Sequence, residues 1–495
     1  MAELYKGEYL KITEKAGQSK VRKITNLFSG GDGAVYGVHN SNLRNAERAV
    51  MERVFFVKGG GRPPLPNGRL RTRLGKIAKQ LKCLLPTRLP IDHEEFLEYY
   101  RGSKLQVYRS ASESLVTEPL TKKDSQLASF IKAEKVLRSK DGAPRLIQPR
   151  SPRFNIELGC YLKPLEHDIY SAINTLFGGV TVAKGLNALE RGERIREMWD
   201  STLSPVCIGL DASRFDQHVS QEALRLEHSI YLAIYNQCPK LANLLSQQLI
   251  NKGVVRTPDG TIRYTVRGMR ASGDMNTALG NVLLMCLLIK GYSDSMNIPF
   301  KLLNDGDDCV IVVSSVYRQK FLDHVVKWFK EVGFTMKIEG IFTEFNQIEF
   351  CQSKPIFTGQ GTVMVRNPHT AIHKDNVVLR PLLNQKEWDK ARSAIAGCGL
   401  ALSSGVPVME SFYLALGRST SYKRNEMKKS GMDYLADGMV YEPRKILART
   451  RFEFEVAFDI NPMEQRALEE HYRRIKPHYQ VVPVNTGSQL ISEIV

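Results

Sequence analysis

The sequence predicts an α+β fold: a small antiparallel sheet of apolar strands set among helices, ending in a mainly helical C-terminal third. Three observations carry this. Lys301-Leu-Leu-Asn-Asp-Gly-Asp-Asp-Cys-Val-Ile-Val-Val313 is a pair of apolar runs around an acidic turn, with Asn304-Asp305-Gly306 supplying the positive φ angles of a tight hairpin. Val206 to Leu210 is another apolar run and ends at Asp211, as a neighbouring strand would. Toward the C-terminus the pattern becomes helical over Gln385 to Ser403, Met409 to Leu416 and Asn461 to Glu470, the last with an Asn start, a Pro in the first turn and an early acid.

At 495 residues the chain can bury more than one core, which allows roughly two to four subdomains. A hydrophobic content of 42% and a charged content of 25% belong to a globular protein rather than a disordered or fibrous one. The net charge of +18 points to a polyanionic partner, because lysines and arginines that neutralise phosphates release condensed counterions; a basic surface kept for solubility is the competing explanation. Eight cysteines are scattered without zinc spacing, and Cys207, Cys286 and Cys309 fall inside apolar runs, as reduced core residues do. The opening residues contain no apolar signal core, and the longest aliphatic stretch, Val282 to Ile289, is too short to span a bilayer.

Taken in order, Gly30-Gly-Asp-Gly33 lacks the Gly-Lys-Ser/Thr of a phosphate loop and reads as a turn. Between Lys58 and Pro90 there are no acids, and Leu70, Leu74, Ile77 and Leu81 recur at helical spacing among arginines and lysines. This predicts an amphipathic helix whose outer side is either a solvated face or a nucleic-acid contact. Phe130 to Arg150 reads as a basic hairpin turning at Asp141-Gly142, with Lys132, Lys135, Arg138, Lys140, Arg145, Arg150 and Arg153 able to draw in a triphosphate; a solvated ribbon is again the alternative. Gln221 to Ile250 is helical with a break at Pro239, and residues 251 to 268 form a hairpin around Pro258-Asp-Gly260. Ala271-Ser-Gly-Asp-Met-Asn-Thr-Ala-Leu-Gly-Asn281 is a loop entering a helix on which Thr277 and Asn281, four apart, share a face just after Ser272. Tyr317 to Val332 is an amphipathic helix with Phe321, Val325, Trp328 and Phe329 inward, and strands are predicted at Phe334 to Ile338 and Gln347 to Cys351. Residues after about Pro477 show no periodicity and read as a mobile tail.

The acidic turn is where chemistry is expected. Asp307 and Asp308 at a hairpin tip would repel each other by about 4 kcal/mol at 4 Å and an effective dielectric near 20, so such a turn calls for a cation. Alone, Asp-Gly-Asp-Asp is also an ordinary polar loop. If the Val206 strand lies beside the hairpin, Asp211 and Asp307 face one space, wide enough for two metal ions roughly 3.5 to 4 Å apart.

Three constellations occur in order: Asp211-x4-Asp216, then Ser272-Gly-x3-Thr277-x3-Asn281, then Gly306-Asp-Asp308. With them the chain resembles viral RNA-dependent RNA polymerases, and within that class the replicases of plant tombusvirus and carmovirus relatives. Leu210-Asp-Ala-Ser-Arg-Phe-Asp-Gln-His-Val-Ser220, Val35-Tyr-Gly-Val-His-Asn40, Phe130-Ile-Lys-Ala-Glu-Lys135 and Pro144-Arg-Leu-Ile-Gln-Pro-Arg150 are similar in wording to theirs. The likeness runs from about Val35 to the helices near residue 416.

The resemblance implies a right-hand polymerase fold of fingers, palm and thumb. It would divide the chain into an N-terminal extension and fingers (1–204), the first acidic palm motif (205–225), a fingers insertion (226–268), the rest of the palm (269–355), and a thumb with a C-terminal tail (356–495). Asp211 and Asp307, with Asp308 assisting, would hold two Mg2+ ions, with Mn2+ as a substitute. One metal would activate the RNA 3′-hydroxyl, the other would stabilise departing pyrophosphate. Asp216, Ser272 and Asn281 would sense the ribose 2′-hydroxyl with Thr277 in support. Arg145 would lie over the incoming nucleotide, Lys132 and Lys140 would contact its triphosphate, and Lys337 would protonate pyrophosphate. Glu349-Phe-Cys351 resembles a loop that braces the primer strand, while Gly142 stands where some related polymerases carry a lysine. The expected partners are a single-stranded viral RNA template, the nascent RNA, nucleoside triphosphates, an auxiliary viral replication protein and host factors. The expected setting is the host cytoplasm, at membrane-associated replication sites reached through an upstream readthrough region or a partner outside this chain. Two rival readings stand beside this one: a reverse transcriptase, which shares the acidic palm but usually carries an aromatic steric gate near the first motif, whereas Asp216 offers a hydrogen-bond acceptor, and a non-catalytic basic RNA-binding or coat protein.

Overall fold

The computed structural model describes residues 3–19, 21–27, 36–140, 142–421 and 434–479. The strands, in chain order, are β1 (Tyr9–Glu14), β2 (Thr25–Asn26), β3 (Tyr36–Gly37), β4 (Leu127–Ile131), β5 (Val136–Leu137), β6 (Leu146–Ile147), β7 (Pro205–Ala212), β8 (Ile250–Thr257), β9 (Gly260–Arg267), β10 (Lys301–Asp305), β11 (Asp308–Ser314), β12 (Met336–Phe342), β13 (Ser353–Thr358), β14 (Gly361–Arg366) and β15 (Val377–Val378). The helices used below are α1 (Arg69–Cys83), α2 (Ala188–Asp200), α3 (Phe215–His218), α4 (Gln221–Ile234), α5 (Thr277–Met296), α6 (Arg318–Glu331) and α7 (Gln385–Ser403). The protein is a mixed α and β fold in which the sheets are small and helices surround them.

The sheet that matters most has the order β10-β11-β7-β12, with every neighbouring pair antiparallel. Both of its faces are buried, which is why its strands read as unbroken apolar runs instead of alternating. Ile208, Leu210, Cys309, Ile311, Val313 and Leu302 enter the largest core, together with α5 and the Phe321, Val325, Trp328 and Phe329 face of α6. Cys207, Val310, Val312 and Leu303 point the other way, onto Ala188, Ile195 and Met198 of α2 and onto Phe345, Ile348 and Phe350. Successive side chains alternate along a strand, so Asp211 and Asp308 fall on this second face, at its open end.

A five-stranded sheet in the order β1-β9-β8-β4-β6 flanks the central one. Its β8–β9 hairpin turns where Pro258-Asp-Gly260 predicts, Thr257 facing Gly260. The basic segment runs as α1, which buries Leu70, Leu74, Ile77, Ala78 and Leu81 and leaves Arg71, Lys76 and Lys79 exposed. Toward the C-terminus the helices at Gln385–Ser403, Met409–Leu416 and Pro462–Arg474 form as expected, with an Asn461 capping box on the last. They share a separate core with Ile356 and Val365 of the β13–β14 hairpin, so that third is helical but carries a two-stranded sheet.

Three local expectations are corrected. Phe130 to Arg150 is not one hairpin: β4 pairs with β6, Phe130 opposite Ile147, while β5 leaves to pair with β3. Gln347 to Cys351 is no strand, because Phe345–Gln347 is a 3-10 turn and only an isolated Phe350–Ser353 bridge follows. In the acidic hairpin Gly306 alone has a positive φ, 93°, as the first central residue of a two-residue turn between Asp305 and Asp308. The expected turn at Gly30–Gly33, Asp141 of the expected turn at Asp141-Gly142, and most of the tail after Pro477 lie outside the described residues. Among the described residues no helix is long and apolar enough to cross a membrane.

Candidate active site

The register of the central sheet builds the acidic site. Asp308 stands directly opposite Asp211, Asp211 opposite Lys337, and Asp305 opposite Asp308. Directly opposed residues in antiparallel strands project to the same side, so Lys337, Asp211, Asp308 and Asp305 form one row across four strands, spaced about 4.8 Å per strand. The expected partner of Asp211 was Asp307; the pairing goes to Asp308, the first residue of β11, because the turn takes only Gly306 and Asp307. Asp307 sits exposed at the tip, beside both.

Burial and neighbouring charge act on these carboxyls together. Burial, reinforced by the neighbouring charges of Asp307 and Asp211, pushes Asp308 up to about 7. Burial and then Asp307 raise Asp211 as well, with Lys337 pulling the other way. The donor set is carboxylate oxygen only, from two strands and a turn, which suits a hard divalent cation. Among the described residues no group of three or more His, Cys, Asp or Glu side chains is drawn together closely enough to hold a metal ion.

Two further acidic positions, Asp305 at the end of the row and Glu339 beside it, have no functional role in the sequence reading. Asp305 is tied to Lys184 and, at 2.7 Å, to Arg191. Burial alone would raise its carboxyl, but the two cations outweigh that and hold it below the usual range. Glu339, two residues beyond Lys337 and next to the irregularity in β12, is raised by burial and by Asp211. Its spacing of two from Lys337 was a readable sign; nothing in the sequence links Lys184 and Arg191 to a residue more than a hundred positions away.

The polar residues of the second constellation meet Asp216. The chain leaves β7, turns at Arg214 with φ 50°, and enters the short helix α3. Arg214 is anchored on Glu52 at 3.1 Å, and Phe215 stacks on Phe334 at 4.9 Å between ring centroids, so the turn is held from both sides. Asn281 Nδ2 donates to Asp216 Oδ1 at 2.8 Å. Burial raises the Asp216 carboxyl, while Asn281 and then Arg270 act in the opposite sense. Thr277 turns its hydroxyl into its own loop, donating to the carbonyls of Ala271 at 3.0 Å and Asp274 at 2.9 Å, so it braces the Ser272 loop from beneath. Ser272 is half-buried at the head of that loop, and its carbonyl accepts from Gln148 N at 2.6 Å.

The basic residues divide. Arg145 is exposed, 3.6 Å from Glu134, and near enough to Asp216 to lower its carboxyl. Lys132 pairs with Glu134 at 3.3 Å, on the same ribbon. Lys140 is exposed on the turn after β5, and no described interaction joins it to the acidic row. Arg150 and Arg153 do not belong to a triphosphate-facing cluster: Arg150 is buried on Asp274 at 2.6 Å, and Arg153 pairs with Asp124 at 3.3 Å. Lys135, whose amine is lowered to about 8 by burial, donates to the Lys374 carbonyl at 2.6 Å.

Known sequences match nearly the whole of the chain that carries this acidic row and the Asp–Asn pair beside it. Residues 10–480 match the family described as viral RNA dependent RNA polymerase, and the chain belongs to that family. It is 40% identical over 481 residues to the RNA-directed RNA polymerase of turnip crinkle virus, covering 94% of this chain and 62% of that one. It is also 40% identical over 491 residues to that of tobacco necrosis virus strain A, covering 96% and 67%. The polymerase of melon necrotic spot virus is 38% identical over 465 residues, covering 92% and 59%. The chain thus spans about three-fifths to two-thirds of the length of these relatives. The resemblance to plant tombusvirus-like replicases holds.

Proposed function

We propose that this chain performs template-directed RNA synthesis from ribonucleoside triphosphates, replicating a positive-strand RNA genome. The observation that carries the reading is the register placing Asp308 opposite Asp211 with Asp307 at the adjoining turn, within a chain of this family. Asp211, Asp307 and Asp308 hold Mg2+, or Mn2+ in its place. When bound, the metal supplies Lewis-acid activation of the 3′-hydroxyl and charge neutralisation of the phosphates.

The remaining roles belong to side chains. Asp216 offers a carboxylate oxygen to the 2′-hydroxyl of the incoming ribose, with Asn281 and Ser272 beside it and Thr277 holding the loop. A deoxynucleotide leaves that acceptor unmatched, which is the source of discrimination. Arg145 covers the incoming nucleotide and steers its triphosphate, with Lys132 and Lys140 nearby on the same segment. Lys337 gives a proton to the leaving pyrophosphate; its exposure and its position opposite Asp211 support that role. Glu349-Phe-Cys351 braces the primer strand.

In this reading the fold is a right hand: fingers with an N-terminal extension over 1–204, the first palm motif at 205–225, a fingers insertion at 226–268, the rest of the palm at 269–355, and the thumb from 356. Template and nascent RNA run over the basic surface, which includes the exposed side of α1. An auxiliary viral protein and host factors complete the replicase at cytoplasmic membranes.

The test is incorporation of labelled ribonucleotides on a short RNA template, with Mg2+ and with chelator. Near-complete loss of synthesis by Asp307→Asn, with RNA binding kept, is expected. Divalent-independent incorporation, or full activity of Asp307→Asn, overturns the reading.

A further inference from the structure

We propose that Arg270 and Glu227, a fully buried ion pair behind the site, are positioning residues that fix the Asn281 amide in the one orientation that serves ribose selection. The inference rests on the reading of Asp216 and Asn281 as the ribose-sensing pair. Both side chains of the ion pair are 0% exposed. Arg270 Nε donates to Asn281 Oδ1 at 3.1 Å, while Asn281 Nδ2 donates to Asp216 Oδ1 at 2.8 Å. An Asn amide can be turned end for end at almost no steric cost, so its direction is decided by its neighbours. Here one end faces a guanidinium, which only donates, and the other a carboxylate, which accepts when ionised. A reversed amide would set NH2 against N–H and oxygen against oxygen. Arg270 also holds the other member of the pair, since its backbone N–H donates to the Asp216 carbonyl at 2.8 Å.

The guanidinium is itself held from behind. Its two terminal nitrogens meet the two oxygens of Glu227, Nη1 at 3.1 Å from Oε1 and Nη2 in contact with Oε2. Glu227 Oε1 accepts as well from the Tyr231 hydroxyl at 2.8 Å and from Asn276 Nδ2 at 2.7 Å, and Gln248 Nε2 donates to Asn276 Oδ1 at 2.8 Å. Gly280, the residue before Asn281, completes the cradle. A Cβ there would lie closer than 3.0 Å to both Arg270 Nη2 and Glu227 Oε1, so the guanidinium can pass the helix only because position 280 is glycine.

A buried ion pair is a poor device for stability, since desolvating two charges offsets much of their attraction, and an apolar pair of similar volume often serves as well. Orientation is what it supplies here. With Arg270 gone, Asn281 is free to present either end to Asp216, and the carboxylate is no longer set for the 2′-hydroxyl.

The experiment compares kcat/KM for a ribonucleotide and for its 2′-deoxy counterpart on one RNA template, in the parent chain, in Asp216→Ala, and in the double variant Arg270→Met with Glu227→Leu. The double variant leaves the Tyr231 hydroxyl and the Asn276 amide without their acceptor, so its thermal unfolding midpoint is expected to fall by several degrees, and discrimination is read at a temperature where circular dichroism shows it folded. It should lose about tenfold in ribose discrimination, the effect of one misdirected hydrogen bond, chiefly through a raised KM for the ribonucleotide. Unchanged discrimination in a folded double variant, with discrimination lost in Asp216→Ala, overturns this inference and leaves the ribose reading intact. Unchanged discrimination in Asp216→Ala removes the ribose reading and this inference with it. Should the double variant not fold, Arg270→Lys is read in its place: it keeps a charge against Glu227 but has no fork to reach Asn281 as well, so the same loss is expected and its absence has the same consequence.

Discussion

Asp308 should make the metal-free protein less stable as the pH rises. Its carboxyl goes from the usual 3.8 to about 7, first through burial and then through Asp307 and Asp211. Between those two values the folded chain keeps a proton that the unfolded chain has released. Stability therefore falls as pH rises from about 4 to about 7, and the loss is complete above that. A difference of that size corresponds to about 4 kcal/mol, and partial exposure of the carboxylate reduces it to roughly 2 to 4 kcal/mol. Asp308→Asn removes the ionising group and keeps the shape. In chelator at pH 8, urea unfolding should find Asp308→Asn more stable than the parent by roughly 2 to 4 kcal/mol, with the gap closing toward pH 4. Adding Mg2+ should narrow the gap from the parent side. A variant no more stable than the parent at pH 8, or a gap that does not change with pH, would refute the reasoning.

His228 should act in the opposite sense. Burial lowers it from 6.5 to about 4, so its contribution is present above pH 6.5 and lost as pH falls toward 4, about 3 kcal/mol in all; His228→Gln should flatten the acid limb of a stability–pH curve. Gly192→Ala places a Cβ closer than 3.0 Å to the Thr362 carbonyl, where backbone must yield, and should cost about 1 to 3 kcal/mol by thermal unfolding. Alkylation near neutral pH, mapped by peptide mass, should label Cys238 and Cys83 first. Cys238 is lowered mainly by the Leu241 N–H and Cys83 is exposed, whereas burial pushes Cys207, Cys286 and Cys309 far up.

The parts of the fold readable in the sequence are those whose signal is local. The strands β7 and β11 announce themselves as apolar runs because both faces are covered, and α1 does so through the spacing of Leu70, Leu74, Ile77 and Leu81. The acidic row is legible in part: Asp211, Asp307 and Asp308 stand out, but not that Asp308 takes the place facing Asp211 once Gly306 and Asp307 fill the turn, nor that Asp305 and Glu339 join them. What could not be read depends on partners far apart in the chain. Arg270 and Glu227 are 43 positions apart, and neither has a neighbour in sequence that marks it as buried. Arg150 looked like one more cation on a basic ribbon until Asp274, 124 positions on, proved to bury it. The strand expected at Gln347 to Cys351 failed for a local reason: Cys351 and Gln352 both take positive φ, 50° and 60°, so the chain turns where alternation suggested it would extend.

The central claim is that Asp211 and the Asp307–Asp308 pair, from two different strands, share divalent metal. Replacing Mg2+ with Fe2+ and generating hydroxyl radicals at the bound ion cuts the backbone beside it, and the cut positions can be sequenced. Cleavage grouped around residues 210–212 and 306–309, abolished by Asp211→Asn and competed by excess Mg2+, is the expected result. Cleavage confined to one of the two strands, or lying elsewhere in the chain, would contradict the shared site.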